Sequence, residues 1–179
     1  MARKSTQVAI GGVAAALCLL LMFCTGLVPF ATYALPALAG VVLIAVVAEM
    51  GWRTAMVVYA AVALLSLGIV PDREAAMLFI FFFGYYPIIK GLIEHLPTKV
   101  LQLFIKFLLF NVAMILSYMV IIYVLGIPDI LESFGDFGKY SALVLLGMGN
   151  VVFGVYDFAL TNIVIVYHQW FRPKFLRKI

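Results

Sequence analysis

Long apolar runs separated by short polar segments make up most of the chain. Six runs come near the length that a membrane-spanning helix needs, about 20 residues. They predict spans at about residues 7–28, 31–48, 54–70, 75–93, 100–126 and 141–167. The breaks between them contain the turn-forming and charged residues of EMGWR, VPDRE, KGLIEHLPTK and GIPDILESFGDFGK. The pattern predicts an all-α integral membrane protein whose residues 1–179 form a single six-helix transmembrane domain.

Lys and Arg are distributed unevenly between the two ends of these spans. Ten lie on the side that holds both termini, and two, Arg73 and Lys139, lie on the other side. Because cytoplasmic loops are enriched in Lys and Arg, this asymmetry predicts that both termini are cytoplasmic. It also favours an even number of spans, since one span more or less would mix the two sets. Trp52 and Trp170 on the inside, and Tyr33 on the outside, fit an interfacial aromatic belt.

The composition excludes a soluble fold. Hydrophobic residues make up 66% of the chain and charged residues 11%, whereas a soluble domain has about 25% charged residues. We therefore expect a multi-pass protein of the plasma membrane, surrounded by the lipid bilayer. The first apolar run is longer than the roughly 7–15 residues of a signal peptide, so we expect it to be retained as a span. We interpret Cys18 and Cys24 as small buried apolar residues.

The sequence carries no motif of an enzyme site. It has no glycine-rich phosphate loop, no HExxH and no Cys/His cluster. We therefore predict a protein that is not an enzyme, with no catalytic residue, metal or cofactor. His95 and His168 lie at predicted membrane boundaries, which favours solvated side chains. Nucleic-acid binding is not expected, because the basic residues lie at the inner membrane surface with no soluble domain behind them.

The first span carries small residues at helical spacing. In AIGGVAAAL, Gly11 and Ala15 are four residues apart, as are Gly12 and Ala16, and Ala9 flanks them. Residues four apart share a helix face. Small side chains on such a face let a second helix approach closely inside a membrane. The strip could pack against another span of this chain or against a separate membrane protein.

A short basic tail leads into this Ala/Gly-rich span, and six short spans with both ends inside fit into 179 residues. This arrangement resembles the substrate-binding S component of energy-coupling factor (ECF) transporters. In that family an A-x-x-x-A motif in the first helix contacts a transmembrane coupling protein, which two cytoplasmic ATPases drive. The matching positions here are Gly11/Ala15 or Gly12/Ala16, with glycine in place of the first alanine. The resemblance implies an S-component-like bundle that takes up a small vitamin-like nutrient together with these partners.

The resemblance also implies a substrate pocket that opens outward and is built from the later spans. Pockets of this kind are mostly apolar and aromatic, with a few polar groups that orient the ligand. The predicted topology suggests as candidate lining residues Asn150, Tyr123, Tyr118, Phe83 and Tyr33. Asn150 is the best single candidate, because a buried amide needs hydrogen-bond partners. The acidic and aromatic loop 126–140 could be a lid over the pocket or an ordinary connector.

An ionisable residue lies inside the last predicted span. Asn150, Gly154 and Asp157 share one helix face, which predicts that this face contacts protein. A charge at this depth costs about 2.5–3.5 kcal/mol and indicates a specific partner or a function. We predict an ion pair with Lys106 that fixes the packing of the last two spans, with Lys90 as a second possible partner. Asp157 could instead be a counter-charge to a substrate, or a proton or cation site.

Three classes of function remain open. The first is substrate capture for an ECF-type transporter, which the small strip of the first span favours. The second is a structural or scaffold protein of the cell envelope, since the MreD-type rod-shape proteins are similar in size and span count. The third is a small ion- or proton-coupled carrier that uses Asp157.

Overall fold

The computed structural model describes residues 4–27, 31–126, 141–167 and 169–170, which form helices and turns without any β-strand. Apart from Gly126, the loop 126–140 that could be a lid lies outside these residues, as do His168 and residues 171–179. The helices are α1 (Lys4–Phe23), α2 (Ala34–Met50), α3 (Trp52–Ile69), α4 (Arg73–Leu78), α5 (Tyr86–Glu94), α6 (Lys99–Tyr123) and α7 (Ser141–Val166). A 3-10 turn, Cys24–Gly26, follows α1, and a π-helical segment, Phe79–Phe83, leads from α4 toward α5.

Five helical stretches are long and apolar enough to cross a membrane. They are Gln7–Gly26, Trp52–Ile69, Arg73–Glu94, Lys99–Tyr123 and Leu143–Val166. Helix α2 is also apolar but has 17 residues, or about 25 Å at 1.5 Å per residue. The predicted all-helical architecture is confirmed, and a helical stretch is found at each of the six predicted positions. The side of the membrane on which each terminus lies stays a prediction.

The stretch Arg73–Glu94, called here the central helix, organises the fold. Of its most apolar part, 61% is buried, against 11% for α7. One side packs into a core formed with α1, α2 and α3, which includes Leu43, Val62 and Phe79. The other side packs into a second core with α6 and α7, which includes Phe82. The central helix therefore lies between two apolar cores.

The central helix is broken where the sequence predicts one continuous span at about 75–93. Pro87 has no N–H group, so the main-chain oxygen of Phe83 cannot receive the usual helical hydrogen bond from it. Upstream, the N–H of Gly84 reaches back five residues to the oxygen of Phe79, at 2.8 Å. The hydroxyl of Tyr59 on α3 donates to the oxygen of Ile80 at 2.5 Å. A neighbouring helix thus supplies a hydrogen bond that helps to stabilise the irregular backbone, as a membrane interior requires.

Two glycines allow close packing around this break. Gly40 of α2 lies against the main-chain oxygen of Phe83, and a Cβ atom at position 40 would collide with that oxygen. A Cβ atom on Gly84 would collide with the ring of Tyr59. The break is therefore held between α2 and α3, at positions where no larger residue fits without movement.

Candidate functional site

Four charged side chains of α5, α6 and α7 form a closed ring, called here the charge ring: Lys90, Glu94, Lys106 and Asp157. The Nζ atom of Lys90 lies 2.5 Å from Oε1 of Glu94 and 2.5 Å from Oδ1 of Asp157. The Nζ atom of Lys106 lies 2.7 Å from Oε1 of Glu94 and 2.9 Å from Oδ2 of Asp157. Each cation therefore contacts both anions, and the four formal charges cancel.

The ring members differ in exposure. The side chains of Lys90 and Lys106 are 4% and 8% exposed, that of Asp157 is 20% exposed and that of Glu94 is 37% exposed. Burying an ammonium group without a counter-ion costs on the order of several kcal/mol. The two carboxylates therefore make the burial of both lysines possible. The hydroxyl of Tyr86, one turn before Lys90, donates to Oδ1 of Asp157 at 2.6 Å. Asp157 therefore accepts from three donors.

The structure places both Lys106, the predicted partner, and Lys90, the second possible partner, against Asp157. Sequence reasoning missed Glu94 and Tyr86. The available signal was the spacing of Lys90 and Glu94, since residues four apart on a helix can pair. The sequence predicts a loop at Glu94, whereas the structure has it as the last residue of α5.

Asn150, the best predicted substrate ligand, pairs with Asn111 of α6. Each amide nitrogen donates to the other side-chain oxygen, at 2.8 Å and 3.0 Å. Each nitrogen also donates to the main-chain oxygen four residues earlier, on Phe107 and Leu146. Both side-chain amides therefore have hydrogen-bond partners within the chain, and a ligand would have to compete for them.

Two other predicted pocket residues meet near the start of the central helix. The hydroxyls of Tyr33 and Tyr118 lie 3.0 Å apart, and Tyr33 donates to Glu74 at 2.8 Å. A tyrosine hydroxyl has an ordinary pKa of about 10, so it stays protonated and able to donate at physiological pH. Nearby, Thr32 donates to Asp72 at 2.8 Å.

The remaining predicted pocket residues lie apart from this group. Phe83 is half-buried and contacts the rings of Phe82 and Tyr156 edge-on, with ring centroids 5.4 Å apart in both cases. Tyr123 is 83% exposed. The structure thus brings Tyr33 and Tyr118 together but does not gather all five candidates into one pocket.

An apolar groove of about 560 Å³ lies between α3, the central helix and α6. It runs past the break in the central helix, where Ile80, Phe81 and Tyr85 line it, and Tyr59 borders it from α3. Its volume is within the range of ligand pockets, about 300–1,000 Å³. None of the five predicted pocket residues lines it.

The two small pairs of α1 lie on different faces. Gly11 is buried, and a Cβ atom there would lie 3.3 Å from Val58 of α3. Ala9, Gly12 and Ala16 are exposed, and a Cβ atom on Gly12 would meet nothing within 4 Å. One face of the predicted strip therefore packs inside the chain, and the other is open.

Among the described residues, no group of three or more His, Cys, Asp or Glu side chains could hold a metal ion. Cys18 is buried and donates to the oxygen of Ala39 at 3.3 Å, and Cys24 is half-buried. Comparison of the chain with family models, curated proteins and solved structures finds no match in any of the three.

Proposed function

We propose that this chain is a substrate-binding membrane subunit of the ECF type. It captures a small nutrient and passes it inward when a transmembrane coupling protein and two cytoplasmic ATPases act on it. Both termini lie in the cytoplasm, and the plasma membrane is its location.

The open face of α1 carries this proposal. Ala9, Gly12 and Ala16 form an exposed strip of small residues, although the opposite face of α1 is packed against the chain's own helices. In a membrane, an exposed strip of this kind lets a helix of another protein come close. The resemblance to S components implies a contact with the coupling protein at Gly11/Ala15 or Gly12/Ala16, and Gly12 and Ala16 are the pair that is exposed.

The arrangement at Asp157 does not favour the carrier hypothesis. Both of its oxygens already accept hydrogen bonds from lysines or Tyr86 within the chain. A transported cation would have to displace these donors. We therefore give the carboxylate a structural role in the closed bundle.

The test is affinity purification from native membranes in mild detergent, followed by mass spectrometry of proteins and small molecules. We expect a membrane coupling protein and ATPases to copurify with the wild-type chain. Gly12→Leu and Ala16→Leu should abolish this copurification, because the added side chains keep the partner helix away. Ala61→Leu is the matched control, since Ala61 is an exposed alanine on α3.

Recovery of cell-wall or cytoskeletal proteins in place of ATPases would support the scaffold function and reject the transport function. Equal loss of partners in Ala61→Leu would show that the effect is not specific to α1. A small molecule that copurifies with the wild-type chain would identify the nutrient.

A further inference from the structure

Helix α7 is attached to the bundle along a narrow face. Phe153 and Leu160 are the buried apolar side chains among the α7 residues from Leu143 onward. Val151, Val155 and Phe158 are each at least 66% exposed. Few buried apolar contacts mean that separating such an element from the rest costs less free energy than unfolding the bundle.

Polar contacts supply much of the remaining attachment, at three depths. Asn150 pairs with Asn111, Asp157 closes the charge ring, and Tyr167 donates to Glu49 of α2 at 3.3 Å. If α7 moves away, Glu94 still contacts both Lys90 and Lys106. The part of the ring that stays behind then has a net charge of +1.

The closed position of α7 leaves one hydroxyl unsatisfied. The hydroxyl of Tyr156 is buried and has no hydrogen-bond partner among the described residues. Its ring lies edge-on to Phe83, and its centroid is 6.3 Å from that of Tyr86. An unsatisfied buried hydroxyl destabilises the closed state, so this donor favours a state in which an acceptor reaches it.

Phe153 and Asp157 occupy the surface that α7 covers. The Phe153 ring stacks on Phe110 with centroids 4.7 Å apart, and it meets Phe82 edge-on at 5.6 Å. Asp157 lies one helical turn further along and contacts both lysines. Without α7, this surface would present aromatic rings beside the hydroxyl of Tyr86 and an excess positive charge.

We infer that α7 covers a binding site for an amphipathic anion, and that it opens to admit it. In the closed state, Phe153 occupies the position that the apolar part of the ligand would take. Asp157 occupies the position of the ligand's anionic group. The Tyr156 hydroxyl is a further donor for the ligand. This inference does not depend on a coupling protein or an ATPase.

The test measures distances between spin labels in purified protein in lipid nanodiscs, with Cys18→Ala and Cys24→Ala as background. Labels at Leu64→Cys and Phe158→Cys report on α3 and α7, where both side chains are exposed. Labels at Leu64→Cys and Leu108→Cys, also exposed, report on α3 and α6 as the control pair. The probe ligand is 3-phenylpropionate, and 3-phenylpropanol, which has the same apolar part but no charge, is the control ligand.

We expect 3-phenylpropionate to increase the population of molecules with a second α3–α7 distance, which differs from the first by about 5 Å or more. The alcohol should leave this population unchanged. The control pair should keep one distance throughout. Asn150→Leu breaks the amide pair and leaves the charge ring unchanged. It should increase the population at the second distance in the absence of any probe. A single α3–α7 distance under all these conditions overturns the inference, as does an equal response to the acid and the alcohol.

Discussion

Asp157 accepts hydrogen bonds from Tyr86, Lys90 and Lys106, and these donors explain how a carboxylate is tolerated in an apolar helix. The same contacts explain the two buried lysines, because each cation has two anions within 3 Å. At the scale of single residues, stability therefore depends on the balance of charge in the ring more than on any one pair.

Asp157→Asn should lower the free energy of unfolding by about 3–5 kcal/mol, because it leaves two lysines facing one carboxylate. Thermal and denaturant unfolding of the purified protein in detergent would measure this loss. The double variant Asp157→Asn/Lys106→Gln restores neutrality and should recover part of it. A double variant no more stable than the single one would contradict the role given to charge balance.

Tyr156→Phe should stabilise the closed protein by about 1–3 kcal/mol, because it removes a buried hydroxyl that has no partner. Tyr59→Phe is the matched comparison, since it deletes a hydroxyl that donates to Ile80. It should lower the free energy of unfolding by a similar amount. If the two variants changed the free energy of unfolding equally, the hydroxyls of Tyr156 and Tyr59 would not differ in hydrogen bonding as described.

At the scale of elements, the break in the central helix determines how α2 and α3 approach. Gly40 and Gly84 provide the space, Tyr59 satisfies a carbonyl group, and Pro87 prevents a regular helix through this point. π-helical segments often occur at functional sites. The apolar groove and the surface covered by α7 both lie beside this segment.

Gly40→Ala should lower the free energy of unfolding by about 1–3 kcal/mol, since the new methyl group would overlap the main-chain oxygen of Phe83. Gly147→Ala on α7 is the control, because a Cβ atom there meets nothing within 4 Å. That control should be neutral or slightly stabilising, as alanine favours a helix over glycine. Unfolding in detergent compares the two variants, and an unchanged Gly40→Ala protein would argue against the tight contact.

The elements were largely predictable, and the reason is the length and separation of the apolar runs. The break was not, because the run from Ala75 to Ile89 is apolar throughout and Gly84 and Pro87 are its only signals. Helical spacing placed Asp157 on a protein-facing side, and the position of Lys106 inside the fifth predicted span suggested it as the partner. The pairing of Asn111 with Asn150 depends on how α6 and α7 are aligned, which periodicity within one helix does not specify.

At the scale of the whole molecule, two apolar cores meet along the central helix, and α1 and α7 present open faces on either side of it. Many large apolar side chains are exposed, among them Leu64 at 72% and Val100 at 80%. Such a surface is expected where lipid covers the helices. Its charged residues then determine how the bundle is oriented across the membrane.

The Lys and Arg asymmetry predicts that Arg73 lies outside and Arg53 inside. Both residues are exposed in the structure. In intact cells, a membrane-impermeant thiol reagent should label Arg73→Cys in the background without native cysteines. Arg53→Cys should be labelled after the cells are opened. Labelling of Arg53→Cys in intact cells would reverse the topology.

The charge ring also has a consequence for the order of synthesis. Lys90, Glu94 and Lys106 are translated before Asp157, so these three ring members carry one unbalanced positive charge until α7 arrives. Until then, a lysine has to stay near the lipid headgroups or in contact with the insertion machinery. Entry of α7 supplies the missing anion, which couples the synthesis of this helix to the closure of the charge ring. Chains that end before residue 157 should therefore be retained by the insertion machinery and degraded.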